Sequence, residues 1–341
     1  MRVRVDIYMP RLDVAFKEGP VPEARGPIAP IRVHWVKFLE SLRNRHQELG
    51  HEVRVIEIPL WQITTDFVKD TSQMADRIYI PHKMRENWWL DERVHYYMQM
   101  VIPNIFSIDN KGWCATASSY PIRPDGDAHS GVYEMLRARI FTNTSKFDQP
   151  DHKETDLEPG YVFFPCQLPH DETIKYHSDV EVADALKGTM EWVRNYNFYH
   201  PGPQKRHIVI KGHPVNPGAM HSLRQVYADL LPDMDGRVHW IDDMSIHQLI
   251  ANAKVVVTVN SGVGLEAILH GKSVFTFGRA DYDTVSVTCP ESLRENHKPA
   301  ALEPSYRDMN EEDIYLYKKF IDSWYNTHYD YENEKTFEKI K

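Results

Sequence analysis

The residues of this chain best placed to do chemistry lie within Val255–Gly278, VVVTVNSGVGLEAILHGKSVFTFG. A β-branched run from Val255 to Val259 breaks at Asn260-Ser261-Gly262 and resumes at helical spacing through Leu265, Ile268 and Leu269. It stops at Gly271 and returns to an apolar run at Val274–Phe277. That is strand, tight turn, helix, strand, the repeating unit of a parallel sheet. Such sheets bind ligands outside the carboxyl ends of their strands, where this turn falls. Backbone N–H groups of Ser261, Gly262, Val263 and Gly264 at a helix start, with the helix dipole behind them, suit a phosphate. Glu266, on the first helical turn, is within reach of a hydroxylated group beside that phosphate. The plainer reading is a capped helix start with a carboxylate near the positive dipole end. Asp109 ends the apolar run Ile105–Ile108, just before Asn110-Lys111-Gly112. A carboxylate at a strand's carboxyl end is placed to face a cleft, and its alternative is an Asx turn that shapes the loop. Asp125, Asp127 and His129 share the polar stretch Ser118–Gly131, where an Asp-Gly pair is most often only a turn.

The elements that must position these groups alternate along the chain. Val3–Tyr8 reads as a strand, Val33–Leu49 as an amphipathic helix ended by Gly50, and Val53–Ile58 as the next strand, an opening β-α-β unit. The Pro- and Gly-rich stretch Asp13–Pro30 between them is a loop long enough to reach over a cleft. Asp76–Pro81 is a short strand. Over Glu86–Gln99 the aromatics Trp88, Trp89, Tyr96 and Tyr97 are spaced as one buried helix face, with stacking on a sugar ring as the alternative use. Tyr133–Phe141 is a helix. Beyond the aperiodic stretch Ser145–Pro159 the alternation is regular: strands at Tyr161–Pro165, His207–Ile210, Val238–Ile241 and Val255–Val259, and helices at Val180–Val193, Leu223–Leu231 and Ser245–Asn252. Pro290–Tyr306 is loop-like, Glu311–Tyr325 is a last helix, and the charged tail after Asn326 is expected to fray.

The expectation is therefore an α/β protein with two Rossmann-like parallel-sheet domains: residues 1–145, a linker at 146–159, a second domain at 160–305, and a C-terminal helix and tail at 306–341. With 341 residues, 42% hydrophobic and 26% charged, the chain is long enough for two ordinary domains. A net charge of −9 spread along the sequence argues against a nucleic-acid surface. No apolar run approaches the ~20 residues that cross a bilayer, and the N-terminus reads as a strand rather than a signal peptide. Cys114, Cys166 and Cys289 are odd in number and far apart, with no metal spacing, which points to a reducing compartment and the cytoplasm.

Three motifs on successive strand ends resemble the bacterial capsule-type glycosyltransferases around the β-Kdo transferases of capsular polysaccharide synthesis and export. They are FFPCQLPHD with Gln167 and Pro169, IVIKGHP with His213-Pro214, and VTVNSGVGLEAILHGKSVFTFGRADY with Ser261, Gly264, Glu266, Gly271 and Tyr282. A His-Pro pair followed by a serine-containing turn is also similar to bacterial sialyltransferases. The resemblance spans residues 160–285. It implies a GT-B architecture with two domains facing across a cleft. It further implies a CMP-linked sugar donor on the C-terminal domain, a glycan acceptor mainly on the N-terminal one, and inverting transfer with no metal or other cofactor. A peripheral association with a membrane polysaccharide assembly complex fits the same picture.

The residues suit that chemistry. Loss of a CMP group builds negative charge on phosphate, which needs donors aimed at it in advance. His213, with Pro214 in the His-Pro element, would bind or protonate the phosphate, Ser261 and the following N–H groups would hold it, and Lys211 would add a charge or simply be solvated. Gln167 would read the cytosine edge or a sugar hydroxyl, with Asn260, Gly262 and Gly264 forming the turn and Glu266 accepting from ribose. Inversion needs a general base, with Asp109 the first candidate and Asp125 the second. Neither Asp109-Asn110 nor Pro124-Asp125-Gly126 supplies the two acids before a glycine that the CMP-sugar enzymes carry. Asn260-Ser261 stands where the family often has paired Ser or Thr. The alternatives are a UDP-sugar enzyme such as a transferase or UDP-GlcNAc 2-epimerase, and a non-catalytic sugar- or nucleotide-binding protein of the export machinery.

Overall fold

The computed structural model describes residues 2–11, 28–82, 91–169, 171–202, 205–214, 217–289 and 306–341. The chain forms two compact units, each built around its own sheet. Unit 1 comprises Met1–Tyr120, Ser145–Asp148 and Trp324–Lys341, and unit 2 comprises Pro121–Thr144 and Gln149–Ser323. The chain thus enters unit 2 before the linker expected at 146–159, and its last residues return to unit 1.

Unit 1 opens with β1 (Arg4–Pro10), α1 (Ile28–Glu48) and β2 (Glu52–Ile58), followed by α2 (Thr65–Thr71), β3 (Arg77–Pro81), β4 (Val94–Gln99) and β5 (Ile105–Asp109). Strands β2, β1, β3 and β4 are parallel neighbours in that order, but β5 runs antiparallel to β4, so the first sheet is mixed rather than wholly parallel. The helix face read over Glu86–Gln99 is in part a strand. Val94–Gln99 (VHYYMQ) is rich in β-formers, and its period of two sends Tyr97 into the cluster of Val5, Trp35 and Phe38. Tyr96 goes to the opposite face with Tyr8, Ile63 and Ile80. Both tyrosines are core; Trp88 and Trp89 fall outside the described residues, as do most of the Asp13–Pro30 and Pro290–Tyr306 loops.

Unit 2 begins with α3 (Val132–Phe141) and continues through β6 (Tyr161–Pro165), α4 (Glu172–His177), α5 (Val182–Tyr199), β7 (Ile208–Lys211), α6 (His221–Leu230), β8 (Val238–Trp240), α7 (Ile246–Asn252), β9 (Ala253–Thr258), α8 (Val263–Leu269), β10 (Ser273–Thr276) and β11 (Val287–Thr288). Its strands lie side by side as β8-β7-β6-β9-β10-β11, all parallel. That is the doubly wound order, with the reversal between β6 and β9. Strand β6, YVFFP, is buried along its length, as a central parallel strand with both faces covered must be.

The chain then forms α9 (Glu311–Thr327) and β12 (Tyr329–Asp330), which pairs antiparallel with β5. The tail expected to fray is therefore ordered. Asp330 is fully buried and accepts from Asn104 Nδ2 (2.5 Å), Tyr325 OH (2.9 Å) and the Glu332 N–H (2.9 Å). Phe337 and Ile340 join the Phe38 cluster. Among the described residues no helix is long and apolar enough to cross a membrane.

Candidate functional site

The reversal between β6 and β9 is where a doubly wound sheet opens a crevice at its carboxyl edge. Gln167 leaves β6 there and Asn260 leaves β9, and both are buried. Gln167 Oε1 accepts from Thr258 Oγ1 (3.0 Å) and the Asn260 N–H (3.0 Å), while its Nε2 donates to Asn260 Oδ1 (2.9 Å). Asn260 Nδ2 donates to Thr173 O at 2.8 Å. The amide expected to read a base edge is instead committed to stitching two loops across the switch point. A fully satisfied buried network of this kind rigidifies the floor of the crevice. Thr258 and Thr173 escaped the sequence reading because their partners come from strands and helices distant in sequence.

The turn itself is more self-contained than its sequence suggested. The Ser261 N–H is taken by Thr258 Oγ1 (3.2 Å), the Val263 N–H by Ser261 Oγ (3.2 Å) and the Gly264 N–H by Ser261 O (3.0 Å). Of the four N–H groups expected to face a phosphate, only that of Gly262, on an exposed residue, has no partner among the described residues. The Ser261 hydroxyl, although it accepts from Val263, keeps its proton to donate. Tyr282 OH donates to Ser261 O, and its ring packs where a Cβ on Gly264 would stand, so Gly264 is glycine to admit Tyr282. Glu266 is almost wholly buried, and its Oε1 lies 3.8 Å from His247 Nε2. The structure thus sets it against α7 rather than open to a ribose. Its histidine neighbour contacts Thr144 O (2.8 Å) and His270 Nε2 (3.2 Å). Burial pushes His247 down to about 4, and burial together with His247 pushes His270 down to about 3, so both rings are neutral near neutral pH.

At the end of β7, beside β6, the Cys166 N–H bonds Lys211 O at 2.8 Å, which ties the Gln167 and His213 loops together. Lys211 is buried, and its Nζ donates to Asp242 O at 2.7 Å. Burial lowers its pKa, against the pull of Asp242 and Asp243. Asp242 Oδ1 also accepts from the Gly212 N–H (3.0 Å) and Trp240 Nε1 (2.9 Å), and its Oδ2 pairs with Arg224. A Cβ on Gly212 would stand 2.6 Å from Asp242 Oδ1. Lys211 and Gly212 are thus a latch between β7 and β8, and Asp242 is the anchor that sequence reasoning passed over. An acid at the next strand's end opposite a glycine was the available signal. His213 is half-buried beyond this latch, with its N–H toward Met220 Sδ at 3.4 Å, and Pro214 is exposed. Burial pushes the Cys166 thiol well up, away from nucleophile chemistry.

The two candidate carboxylates have different fates. Asp109 Oδ1 accepts from the Lys111 (2.7 Å) and Gly112 (3.2 Å) N–H groups, and Oδ2 from the Ser118 N–H (2.9 Å) and hydroxyl. It is an Asx-type organiser of its loop. Because β5 is antiparallel, the chain leaving Asp109 runs toward the amino ends of β3 and β4, where it lines a cavity with Arg77, Arg93 and His95. Asp125 is exposed. Its neighbour Ile122 accepts from Thr284 Oγ1 (2.6 Å), in the loop leaving the carboxyl end of β10. Gly126 packs so closely on α9 that a Cβ would stand 2.5 Å from Lys319 O, and the Asp127 N–H donates to Asp322 at 2.9 Å. The topology therefore gathers Gln167, Lys211, His213, Asn260, Ser261 and Gly262 at the carboxyl edge of the second sheet, holds the Asp125 loop at defined points of the same unit, and puts Asp109 at the amino ends of β3 and β4 in unit 1.

The profile of the family described as capsule polysaccharide biosynthesis protein matches residues 113–320, more than half of the chain. The capsule polysaccharide export protein KpsS of Escherichia coli is 30% identical over 57% of this chain and 46% of its own length. The capsule polysaccharide modification protein LipB of Neisseria meningitidis serogroup B is 28% identical over 40% of this chain and 33% of its own. The chain spans less than half the length of either relative. Among solved structures it is similar to the β-Kdo 2,7 transferase of Thermosulfurimonas dismutans KpsC, at 16% identity and a TM-score of 0.49, over 92% of this chain and 89% of that one.

Proposed function

The chain belongs to the capsule polysaccharide biosynthesis protein family, and from that premise we propose that it is a glycosyltransferase. In this reading it moves a sugar, Kdo or a related sugar acid, from a CMP-activated donor to a glycan acceptor with inversion. The observation that carries the reading is the stitched crevice floor, in which Gln167 locks the Asn260-Ser261-Gly262 turn beside the His213 loop. A floor fixed before the ligand arrives can stabilise charge that develops only in the transition state, because its dipoles need no reorganisation.

In the proposed reaction the donor phosphate lies over the Gly262 N–H and the Ser261 hydroxyl, with His213 donating a hydrogen bond or proton to the leaving oxygen. Gln167, Asn260 and Lys211 act as positioning residues. Asp125, whose carboxylate has no described hydrogen bond, takes the acceptor's proton as that hydroxyl attacks the anomeric carbon and the bond to phosphate breaks on the opposite face. Asp109, with both oxygens already accepting, is the weaker candidate for the base.

The test is a thermal-shift titration with CMP, UDP and GDP on the parent and on His213→Ala. It is followed by turnover with a CMP-sugar acid. A nucleotide at ~100 times its dissociation constant stabilises the native state by about 2.7 kcal/mol. The expected result is a CMP-selective shift that His213→Ala removes. Asp125→Asn should lower kcat by about 100-fold or more, while Asp109→Asn should keep most of it. A UDP-selective shift would move the assignment to a UDP-sugar enzyme. No shift with any nucleotide would move it to a non-catalytic role in polysaccharide export.

A further inference from the structure

Four cations gather where β9 and β10 begin, at the edge of the second sheet opposite the crevice. Lys254 stands at the start of β9, Lys272 just before β10, Arg137 on α3 and Arg307 just before α9. With His270, Gly271 and Ile314 among its other walls they enclose a cavity of about 350 Å³, at the lower end of the range for small-molecule sites. Two of the four are neutralised. Lys254 pairs with Asp308 at 2.5 Å, and Arg307 grips Asp313 through two contacts of 2.5 and 2.7 Å.

The other two are not. Among the described residues neither Arg137 nor Lys272 makes a salt bridge or a side-chain hydrogen bond; Arg137 stacks on Phe141, 5.0 Å from the ring centre, and feels Glu134, whose carboxylate Lys318 already holds, while Lys272 feels Asp308, which Lys254 already holds. The natural local counter-charge would be the negative end of α8, which terminates here. Its last carbonyls, Ile268 O and Leu269 O, are already engaged by Tyr133 OH at 3.2 and 3.3 Å. Lys272 is half-buried, and burial together with the nearby Lys254 lowers its pKa, against the pull of Asp308. Gly271 leaves the cavity open, since its φ of +69° excludes most side chains and a Cβ would press on Ile314 Cδ1 at 3.1 Å.

We propose that this cavity binds the phosphate or carboxylate group of a compact molecule, up to monosaccharide size, through Arg137 and Lys272. An oxyanion supplies the two missing charge-assisted partners at once, and Ile314 offers an apolar wall for whatever carries it. The site is on the amino edge of the sheet, so it is distinct from the crevice beside Gln167 and does not depend on the transfer reaction proposed above.

The experiment is calorimetric titration of the full chain, at fixed ionic strength in chloride, with inorganic phosphate, glucose 1-phosphate and glucuronate. Saturable binding of at least one probe is expected, weakened about tenfold by Arg137→Gln or Lys272→Gln. Lys272→Arg keeps the charge and should keep the binding. His213→Ala, at the other edge, should leave it unchanged. Tighter binding of glucose 1-phosphate or of inorganic phosphate identifies a phosphorylated ligand, with or without a sugar, and tighter binding of glucuronate a carboxylated one; each upholds the site. The proposal is overturned if no probe saturates, if Arg137→Gln and Lys272→Gln bind as the parent does, if Lys272→Arg loses binding along with Lys272→Gln, or if His213→Ala abolishes it.

Discussion

Gly264 and Tyr282 show how much of the site rests on single atoms. The Tyr282 ring occupies the place of a Cβ on Gly264 and its hydroxyl holds Ser261 O. Gly264→Ala should therefore push the ring out, destabilise the protein by about 1–3 kcal/mol and weaken nucleotide binding together; a urea titration and the nucleotide thermal shift check both. Asp109 makes a contrasting prediction. Asp109→Ala strands three N–H groups and a hydroxyl in its loop, so it should cost about 2 kcal/mol in denaturant stability without altering the nucleotide shift. At this scale the sequence disclosed identities better than roles. Gln167, Asn260, Ser261 and His213 stood out by type and by their place at strand ends. That Gln167 bonds Asn260, and that Lys211 bonds Asp242, depends on which strands lie side by side, and no local pattern carries that.

Among the elements, α4, α7 and the residue that caps α8 carry rings that titrate. His177, on α4, and His247 are each held at about 4, and His270 at about 3, mainly by burial, whereas the unfolded chain protonates them near the ordinary 6.5. Below that value the unfolded state binds more protons, so the stability these neutral rings contribute is full above pH ~6.5 and is lost as pH falls toward about 4 for His177 and His247 and about 3 for His270. At pH 5 the loss is on the order of 2 kcal/mol for each ring. The urea midpoint of unit 2 should drop between pH 7 and pH 5, and His247→Gln should flatten that drop; equal midpoints at the two pH values would rule the account out. The regular strands and helices of unit 2 were legible because apolar periodicity and glycine punctuation agree there. The strand Val94–Gln99 was not, since four aromatics in a short window satisfy a helical stripe as readily as an alternating one until Tyr96 and Tyr97 are seen on opposite faces.

For the molecule as a whole, the α/β class and the presence of two sheets were readable, whereas the division between the units was not. Composition loses its periodicity at 146–159, but the units are divided by contacts, and these return Trp324–Lys341 to the first sheet. Phe337 packs at 6.0 Å from Phe38, so Phe337→Ala should cost unit 1 about 3 kcal/mol or more while sparing unit 2, as hydrogen exchange in the two sheets would report. The same return has a consequence for the order in which the protein is made. Domains generally fold as units while the chain is still emerging from the ribosome. Here Met1–Tyr120 emerge ahead of unit 2 but must wait for β12, Phe337 and Ile340 to complete their sheet and core. Unit 2 has all its parts once Ser323 has emerged. Nascent chains halted just beyond that point should hold a protease-resistant second unit behind a first that is still open to cleavage, so of the two units the one whose residues are made earlier is the one completed later.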